Sequence, residues 1–435
     1  MEHGELRERS VSDQQLQRDR DRVRGGVQDV PRRSPQLTNR YTALARRPRY
    51  AGFLLTVSLA RISATMFNTS GVLLVLARTG SAPLAGATAA AATLPSALSG
   101  PVLGAWLDVA KHRRVLIVAD QVLSVIGLLG VVALAGHAPN WTVPAVTVLY
   151  SVTRPLSTGS FFSTLAEISG PELLDEASRI EATSLNLAFT IGPALGGVLS
   201  GAAGPATAIE IQAGITVIVG ALIAINPAFE ARHEHKATSV TAAIRAGTRA
   251  IVRDPVLRAN GIGSTLATFG WGLMAVGFPL YAVRSLHASA HTSGYMWAAV
   301  ALGSILGTFA LRGRPSSRRI AASYAVLGVS ALLWPLAEAL AVGLLLIALT
   351  GFLEGPAYSG TIALRQRLTP PAVRAQSMST IASAGLLGFS AGAAVGGTIS
   401  GVTTLVVVFA VVNLIAAAAV ISARWARAQR LITRS

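Results

Sequence analysis

The segments GPALGGVLSG (192–201) and GAAVGGTISG (392–401) carry the same glycine pattern 200 residues apart, and they are identical at six of their ten positions. A weaker match pairs TRPLSTG (153–159) with EGPAYSG (354–360). Repetition of this kind indicates that the chain is built from two related halves. Glycine lets helices approach closely, so the pattern fits two interpretations: helix packing alone, or smooth faces along which one half rocks against the other.

The composition is that of a chain embedded in lipid. Of its 435 residues, 51% are hydrophobic and 13% are charged, and the mean hydropathy is +0.53. The net charge of +17 raises the question of nucleic acid, but the basic residues are spread between apolar segments and do not gather with aromatic residues, so we expect no nucleic-acid partner. There is no cysteine, and the seven histidines show no metal-ligand spacing. We therefore expect a polytopic membrane protein without a metal or other cofactor.

We count twelve apolar stretches close to the roughly 20 residues that a helix needs to cross a bilayer. They lie near 51–77, 83–107, 114–136, 142–164, 184–204, 207–226, 256–283, 294–311, 319–336, 340–363, 377–399 and 402–423. With the internal repeat, they predict an all-α membrane protein whose twelve transmembrane helices form two pseudo-symmetric bundles of six.

Lysine and arginine fall on one side of the predicted membrane. With a cytoplasmic N-terminus, all but four of the 37 basic residues lie in the N-terminal tail, in the loops after the even-numbered helices or at the C-terminus. The four exceptions are Arg61, Arg78, Arg154 and Arg284. Because basic loops stay in the cytoplasm, this distribution predicts a protein of the plasma (inner) membrane with both termini cytoplasmic.

Composition along the chain divides it into five segments. They are a disordered cytoplasmic tail at 1–48, a six-helix bundle at 49–228, a cytoplasmic linker at 229–254, a second six-helix bundle at 255–424, and a short cytoplasmic tail at 425–435. The first tail mixes both charge signs and has few apolar anchors, which favours disorder over a role on anionic lipid. We expect the linker to contain a basic amphipathic helix on the cytoplasmic face.

The segment GAWLDVAKHRR (104–114) places an aspartate and a basic cluster between the second and third apolar stretches. It resembles the loop motif of the major facilitator superfamily, and the resemblance extends over about residues 50–424. The matching residues are Gly104, Asp108, Lys111, Arg113 and Arg114. The resemblance implies a cytoplasmic gate in which the aspartate meets the N-terminal end of helix eleven and the basic residues of its own loop. A signal for membrane topology alone is the other interpretation.

A second resemblance concerns helix five. Gly192, Pro193, Gly196 and Gly197 resemble the end of the antiporter motif found in proton-coupled exporters of the superfamily, although Ala188 stands where that motif has an upstream glycine. The resemblance favours export over import.

Three charged residues lie deep within predicted helices: Arg61 in helix one, Arg154 in helix four and Glu354 in helix ten. Each is costly in lipid unless it faces a cavity or a partner. The resemblance places helices one, four, seven and ten around a central cavity, so all three would face the transport path. It also implies a role in proton coupling for Arg154. The placement of Glu354 near the centre of the bilayer makes it our candidate for the proton-carrying group. The alternative is a structural ion pair between Glu354 and one arginine.

Other polar residues are weaker candidates. Asp120 and Glu210 lie near the ends of helices three and six, where we expect helix capping or interfacial solvation. Possible substrate contacts are Asn68, Asn260, Trp271 and Tyr358.

Two intramembrane arginines against one central glutamate favour an anionic or zwitterionic amphiphile as the substrate. We therefore expect a monomeric secondary active transporter that works by alternating access in the lipid bilayer and exports a drug-like molecule or secondary metabolite in exchange for protons, as antiporters in antibiotic resistance do. The alternatives are proton-coupled uptake of a small organic anion or sugar and, from another class, a membrane receptor that transports nothing. No grouping of nucleophile and base and no ATP-binding loop is present, so an enzyme is not expected.

Overall fold

The structure is a computed structural model, and it describes residues 35–110, 112–230, 240–311, 316–369 and 373–432. The described residues form helices and contain no β-strand. We number the helices in chain order. They are α1 (Pro35–Ala45), α2 (Tyr50–Thr79), α3 (Ala82–Ala91), α4 (Leu94–Val109), α5 (Arg113–Leu134), α6 (Thr142–Val152), α7 (Arg154–Ala203), α8 (Pro205–Ile225), α9 (Val240–Arg253), α10 (Pro255–Arg284), α11 (Ser293–Ala310), α12 (Ser317–Ala331), α13 (Leu340–Leu368), α14 (Arg374–Thr398) and α15 (Val402–Ile432).

Helix α1 belongs to the N-terminal segment, residues 1–48, whereas residues 49–435 form one compact unit. The structure thus has a helix within part of the tail for which the sequence analysis expected disorder, and residues 1–34 lie outside the described part. At the other end of the chain, α15 continues to Ile432, so its last turns occupy the segment predicted as a short tail.

Ten helical segments of the described chain are long and apolar enough to cross a membrane. The predicted second and fourth helices are each present as two shorter pieces, α3 with α4 and α6 with the first part of α7. Pro95 follows the first break and Pro155 the second, both in the first turn of the next helix. A proline fits there because that turn needs no backbone N–H, but its ring clashes with an incoming helix and ends it.

The corner at Gly170 corrects one predicted loop. The sequence analysis placed a cytoplasmic loop between 164 and 184, whereas α7 is helical on both sides of Gly170. This residue has φ 68° and ψ 168°, a backbone conformation that a glycine adopts without a steric penalty. The chain therefore turns back within one residue, and the fifth apolar helix begins at Glu172.

The packing of helices repeats between the halves. In the N-terminal half α2 packs against the second part of α7 and against α8, and in the C-terminal half α10 packs in the same way against α14 and α15. Helix α5 contacts α8 as α12 contacts α15. The duplication predicted from the glycine segments is thus present in the arrangement of the helices.

Glycines join the two halves at one end of the bundle. We call it the outer end, because the loops that meet there, 80–81, 204 and 399–401, are predicted to be extracellular. A Cβ atom on Gly197 of α7 would collide with the backbone of Gly294 on α11, and one on Gly86 of α3 would collide with the Ala393 carbonyl on α14, next to Gly397. The halves therefore approach each other backbone to backbone at the outer end.

The linker contains the predicted helix. Helix α9 packs against the start of α14, where the Ser377 hydroxyl donates to the Gly247 carbonyl at 3.2 Å. Asp254 then ends the linker by accepting hydrogen bonds from the backbone N–H groups of Val256 and Leu257 at 2.8 and 3.0 Å. With Pro255 as the first helical residue, this capping starts α10.

Candidate functional site

The buried arginine of α2 has an acidic partner that the sequence analysis missed. Arg61 forms an ion pair with Glu181 of α7, and it also donates to the Glu181 backbone carbonyl at 3.2 Å. The two side chains are 7% and 5% exposed. Glu181 escaped notice because it falls in the stretch predicted as a loop. The alternative of an ion pair with Glu354 is thus wrong for Arg61, whose charge is balanced within its own half.

Arg154 begins α7 and reaches across to α2. Its guanidinium donates to the Ala64 carbonyl at 3.4 Å and to the Tyr150 hydroxyl at 3.3 Å, and it lies 5.4 Å from the centre of the Tyr150 ring. This residue therefore links the fourth predicted helix to the first through neutral groups, and it forms no ion pair with Glu354.

Asp120 of α5 is buried rather than solvated, which corrects the sequence-based expectation. Its side chain is 1% exposed. One carboxylate oxygen accepts hydrogen bonds from Ser157 and from Gln121, the latter at 3.0 Å, while the other has no hydrogen-bond partner. Arg154 is the cation that acts electrostatically on this carboxylate. Glu210, in contrast, is exposed as expected.

A second polar cluster crosses the C-terminal half. Polar side chains recur on one face of α10 and on one face of α13, at the spacing of helical turns. They are Asn260, Ser264 and Trp271 of α10, and Glu354, Tyr358, Thr361 and Arg365 of α13, and we call this set the polar lane. The helices run in opposite directions, so Arg365 meets Asn260 at one end of the lane and Glu354 meets Trp271 at the other.

Arg365 was placed in a cytoplasmic loop by the sequence analysis, whereas the structure buries it in the last turn of α13. Its side chain is 7% exposed. The guanidinium Nε donates to Asn260 Oδ1 at 2.7 Å, and Nη2 donates to the Asn260 carbonyl at 3.4 Å and to the Ser264 hydroxyl. All of these acceptors are neutral.

Glu354 lies deeper in the lane, within reach of the Trp271 side chain. Its Oε2 atom has no hydrogen-bond partner, and Glu354 forms no ion pair with any residue that the structure describes. Trp271 also packs on Trp297 and Phe409, with ring centres 5.8 and 5.1 Å apart, so one face of it belongs to the aromatic core.

The predicted substrate contacts are divided between the halves. Asn260, Trp271 and Tyr358 all belong to the polar lane. Asn68 lies in the N-terminal half, two turns beyond Arg61 on α2, and is half-buried.

The structure covers part of the predicted gate. Arg113 donates to the Ser160 carbonyl at 2.7 Å, and Arg114 donates to the Ala224 carbonyl at 2.6 Å and forms an ion pair with Glu230. Apart from Glu230, which lies at the start of the predicted linker, these partners belong to the N-terminal half. Lys111 lies outside the described residues. Gly104 and Asp108 are in α4, but the surroundings of Gly104 and the side chain of Asp108 are also outside the described part of the structure.

The glycines of the antiporter-like motif serve packing. A Cβ atom on Gly192 or Gly196 would collide with α2, as one on Gly392 or Gly396 would collide with α10, and Pro193 is buried. The repeated segments thus hold the fifth helix of each half against the first. The next glycine in each copy makes the contact between the halves described above.

Comparisons with known proteins agree with this architecture. The family model of the Major Facilitator Superfamily matches residues 53–342. The MFS-type transporter y4rN of Sinorhizobium fredii is 28% identical over 403 residues, which cover 88% of this chain and 96% of that protein. The multidrug efflux pump Tap of Mycobacterium tuberculosis is 30% identical over 298 residues, covering 65% of this chain and 70% of the pump.

Solved structures share the fold at low sequence identity. The nucleoside transporter NupG matches with a TM-score of 0.63 and 14% identity, over 85% of this chain and 98% of NupG. A bacterial homologue of the lysosomal transporter Spinster, crystallised in an inward-facing and unoccupied conformation, matches with a TM-score of 0.63 and 13% identity, over 87% of this chain and 96% of that one.

Proposed function

We propose, from the premise that this chain belongs to the major facilitator superfamily, that it exports a drug-like molecule or secondary metabolite in exchange for protons. The superfamily resemblance noted in the sequence is confirmed. The protein is a multi-pass membrane transporter of small molecules and not an enzyme. Kinship with the efflux pump Tap supports the outward direction.

The observation that carries proton coupling is the carboxylate of Glu354. Glu181 has a fixed cationic partner, the guanidinium of Arg61. Glu354 has no such partner among the described residues, and one of its oxygens makes no hydrogen bond. Exchange of substrate for protons requires a group that binds and releases a proton in each cycle. A carboxylate placed in this way can do so without breaking an ion pair.

The contacts at the outer end support alternating access. The halves meet there through glycine, while the described arginines of the gate segment bind within the N-terminal half. With the outer end facing the cell exterior, these glycine contacts correspond to a state that is closed on the outer side, as alternating access requires for one half of its cycle. Both termini are cytoplasmic in this orientation, and the protein works as a monomer in the inner membrane.

Everted membrane vesicles provide the test. We would acidify the vesicle interior, add a panel of antibiotics and organic anions, and follow the pH gradient with a trapped pH-sensitive dye. Compounds that are exported in exchange for protons should collapse the gradient with the wild type and not with Glu354→Gln. Glu338→Gln is the matched control, since Glu338 is an exposed carboxylate just before α13.

Two results would contradict the proposal. If Glu354→Gln collapses the gradient as the wild type does, Glu354 does not carry the coupled proton. If intact cells instead accumulate a panel compound in a protein-dependent manner, the direction is uptake.

A further inference from the structure

The Arg365 end of the polar lane is built from hydrogen-bond donors. A buried guanidinium ordinarily needs a carboxylate partner, because removing a charge from water is costly. Arg365 is 7% exposed and is held by neutral oxygens of Asn260 and Ser264. Among the residues that the structure describes, no carboxylate therefore balances its positive charge.

Two nitrogen atoms at this end still have donor capacity. No hydrogen bond of Arg365 to the described residues uses Nη1. The Nδ2 amide nitrogen of Asn260 is buried without a partner, and its orientation is fixed because Oδ1 accepts from Arg365. Asn260 itself is 1% exposed. A buried donor left unsatisfied costs free energy, which a ligand that accepts hydrogen bonds would recover.

The other described groups near Arg365 do not supply a negative charge. The hydroxyl groups of Tyr324 and Tyr358 are its electrostatic neighbours, and Tyr324 lies 3.4 Å from the Thr361 hydroxyl. The carboxylate of the lane, Glu354, is eleven residues away on α13, about 16 Å along the helix at 1.5 Å per residue. Tyr358, between these two ends, is 36% exposed.

We propose that Arg365 and Asn260 bind the anionic group of the transported substrate, a carboxylate, sulfonate or phosphate. A ligand that only accepts hydrogen bonds and carries negative charge satisfies both free donors and the uncompensated guanidinium, and charge-assisted bonds of this kind are strong. The inference rests on the proposed function, for which it names the substrate class. It also replaces the sequence-based argument for an anionic substrate, because the charge of Arg61 is already balanced by Glu181.

A structural cross-link is the competing role for Arg365, since it joins α13 to α10. The two roles differ in their response to a neighbouring negative charge. Replacing Asn260 by aspartate keeps the shape and the acceptor for Arg365 but supplies a counter-charge. A cross-link would be preserved or strengthened, whereas an anion-binding site would be filled by the protein itself.

Binding is measured through thermal unfolding of the purified full-length protein in nonionic detergent at constant ionic strength, because a ligand that binds the native state raises the unfolding temperature. The probes are phenyl phosphate, benzenesulfonate and benzoate, with neutral benzamide for comparison. Anionic probes should stabilise the wild type more than benzamide does. Arg365→Gln should weaken their apparent affinity by about 10-fold or more, the range for hydrogen bonds to charged groups.

Arg367→Gln is the matched control, because it removes an exposed positive charge two residues along the same helix. It should leave anion binding unchanged. Asn260→Asp should abolish binding while the protein stays folded, and it carries the test if Arg365→Gln does not fold.

Equal anion affinity in Arg365→Gln and Arg367→Gln would overturn the inference, as would an absence of anion-specific stabilisation in the wild type. If added phosphatidylglycerol stabilises the protein in an Arg365-dependent manner and the soluble anions do not, the site holds a lipid headgroup and the assignment to the substrate is wrong. The assay needs no proton gradient. The two experiments are therefore independent. Absence of proton-coupled export in vesicles would not contradict anion binding, and absence of anion binding would not contradict proton-coupled export.

Discussion

Gly197 of α7 lies so close to Gly294 of α11 that a Cβ atom on either residue would collide with the backbone of the other. The two residues belong to opposite halves of the protein. In the alternating-access mechanism proposed above, the halves separate and rejoin at the outer end, so the absence of side chains at this contact should matter for transport.

Gly197→Val should impair transport by preventing close approach at the outer end. Overpacking costs about 1–3 kcal/mol, which corresponds to a roughly 5- to 150-fold shift against the state with the outer end closed. The measurement is substrate-driven proton flux in vesicles. Gly214→Val is the control, because Gly214 also lies in a helix but faces open space. Equal loss in both variants would show that the contact between the halves is not responsible.

A disulfide two helical turns inward from the glycine contacts of the outer end should lock the halves together. The hydroxyl oxygens of Thr93 and Ser390, on opposite halves, lie 2.6 Å apart, a separation that two cysteine sulfurs can bridge. The chain has no cysteine, so the double variant Thr93→Cys/Ser390→Cys has no competing thiol. Oxidation should stop transport and reduction should restore it, while each single variant stays active. Full activity of the cross-linked protein would show that this end does not open during transport.

The sequence predicted the architecture better than it predicted the partners of the charges. Apolar length and basic loops locate helices because every crossing segment must satisfy the same lipid environment. Arg78 and Arg284, the two basic residues in predicted outer loops, do not contradict that pattern. Arg78 donates to carbonyls at the end of α5 and Arg284 to the Ser400 carbonyl just beyond α14, where the helix dipole favours a cation.

The buried charges escaped prediction because a loop and a polar helix have similar compositions. Glu181 lies in the early turns of the second part of α7, and Arg365 lies in the last turn of α13. Both stretches are too polar to be recognised from the sequence as parts of membrane helices. Asp120 was visible within an apolar run, but its burial depends on hydrogen bonds from Ser157 and Gln121. Contacts between distant segments of this kind leave no periodic pattern in the sequence.

Removing one member of the Arg61–Glu181 pair should destabilise the protein more than removing both. Arg61→Gln leaves a buried carboxylate without its cation, which costs about 3–5 kcal/mol when a buried pair is broken. In the double variant Arg61→Gln/Glu181→Gln neither charge remains, so much of that loss should be recovered. Thermal unfolding of the wild type, both single variants and the double variant in nonionic detergent measures the effect. Additive losses would show that the two side chains do not interact.

Asp120→Asn should separate the electrostatic role of Asp120 from its role in packing. Asparagine keeps the size of the side chain and can still accept a hydrogen bond from Ser157, so the unfolding temperature should change little. The carboxyl group within electrostatic reach of Arg154 is lost, however, and Arg154 already binds the Ala64 carbonyl of α2. If Arg154 moves between that carbonyl and Asp120 during transport, the neutral variant should keep Arg154 bound to the Ala64 carbonyl. Proton-coupled flux should then fall by about 10-fold, the effect of roughly 1.4 kcal/mol.

Flux is compared in vesicles across the neutral pH range, with Glu210→Gln as the exposed-carboxylate control on α8. Wild-type flux in Asp120→Asn would show that Asp120 contributes only to packing between α5 and α7 and not to proton coupling.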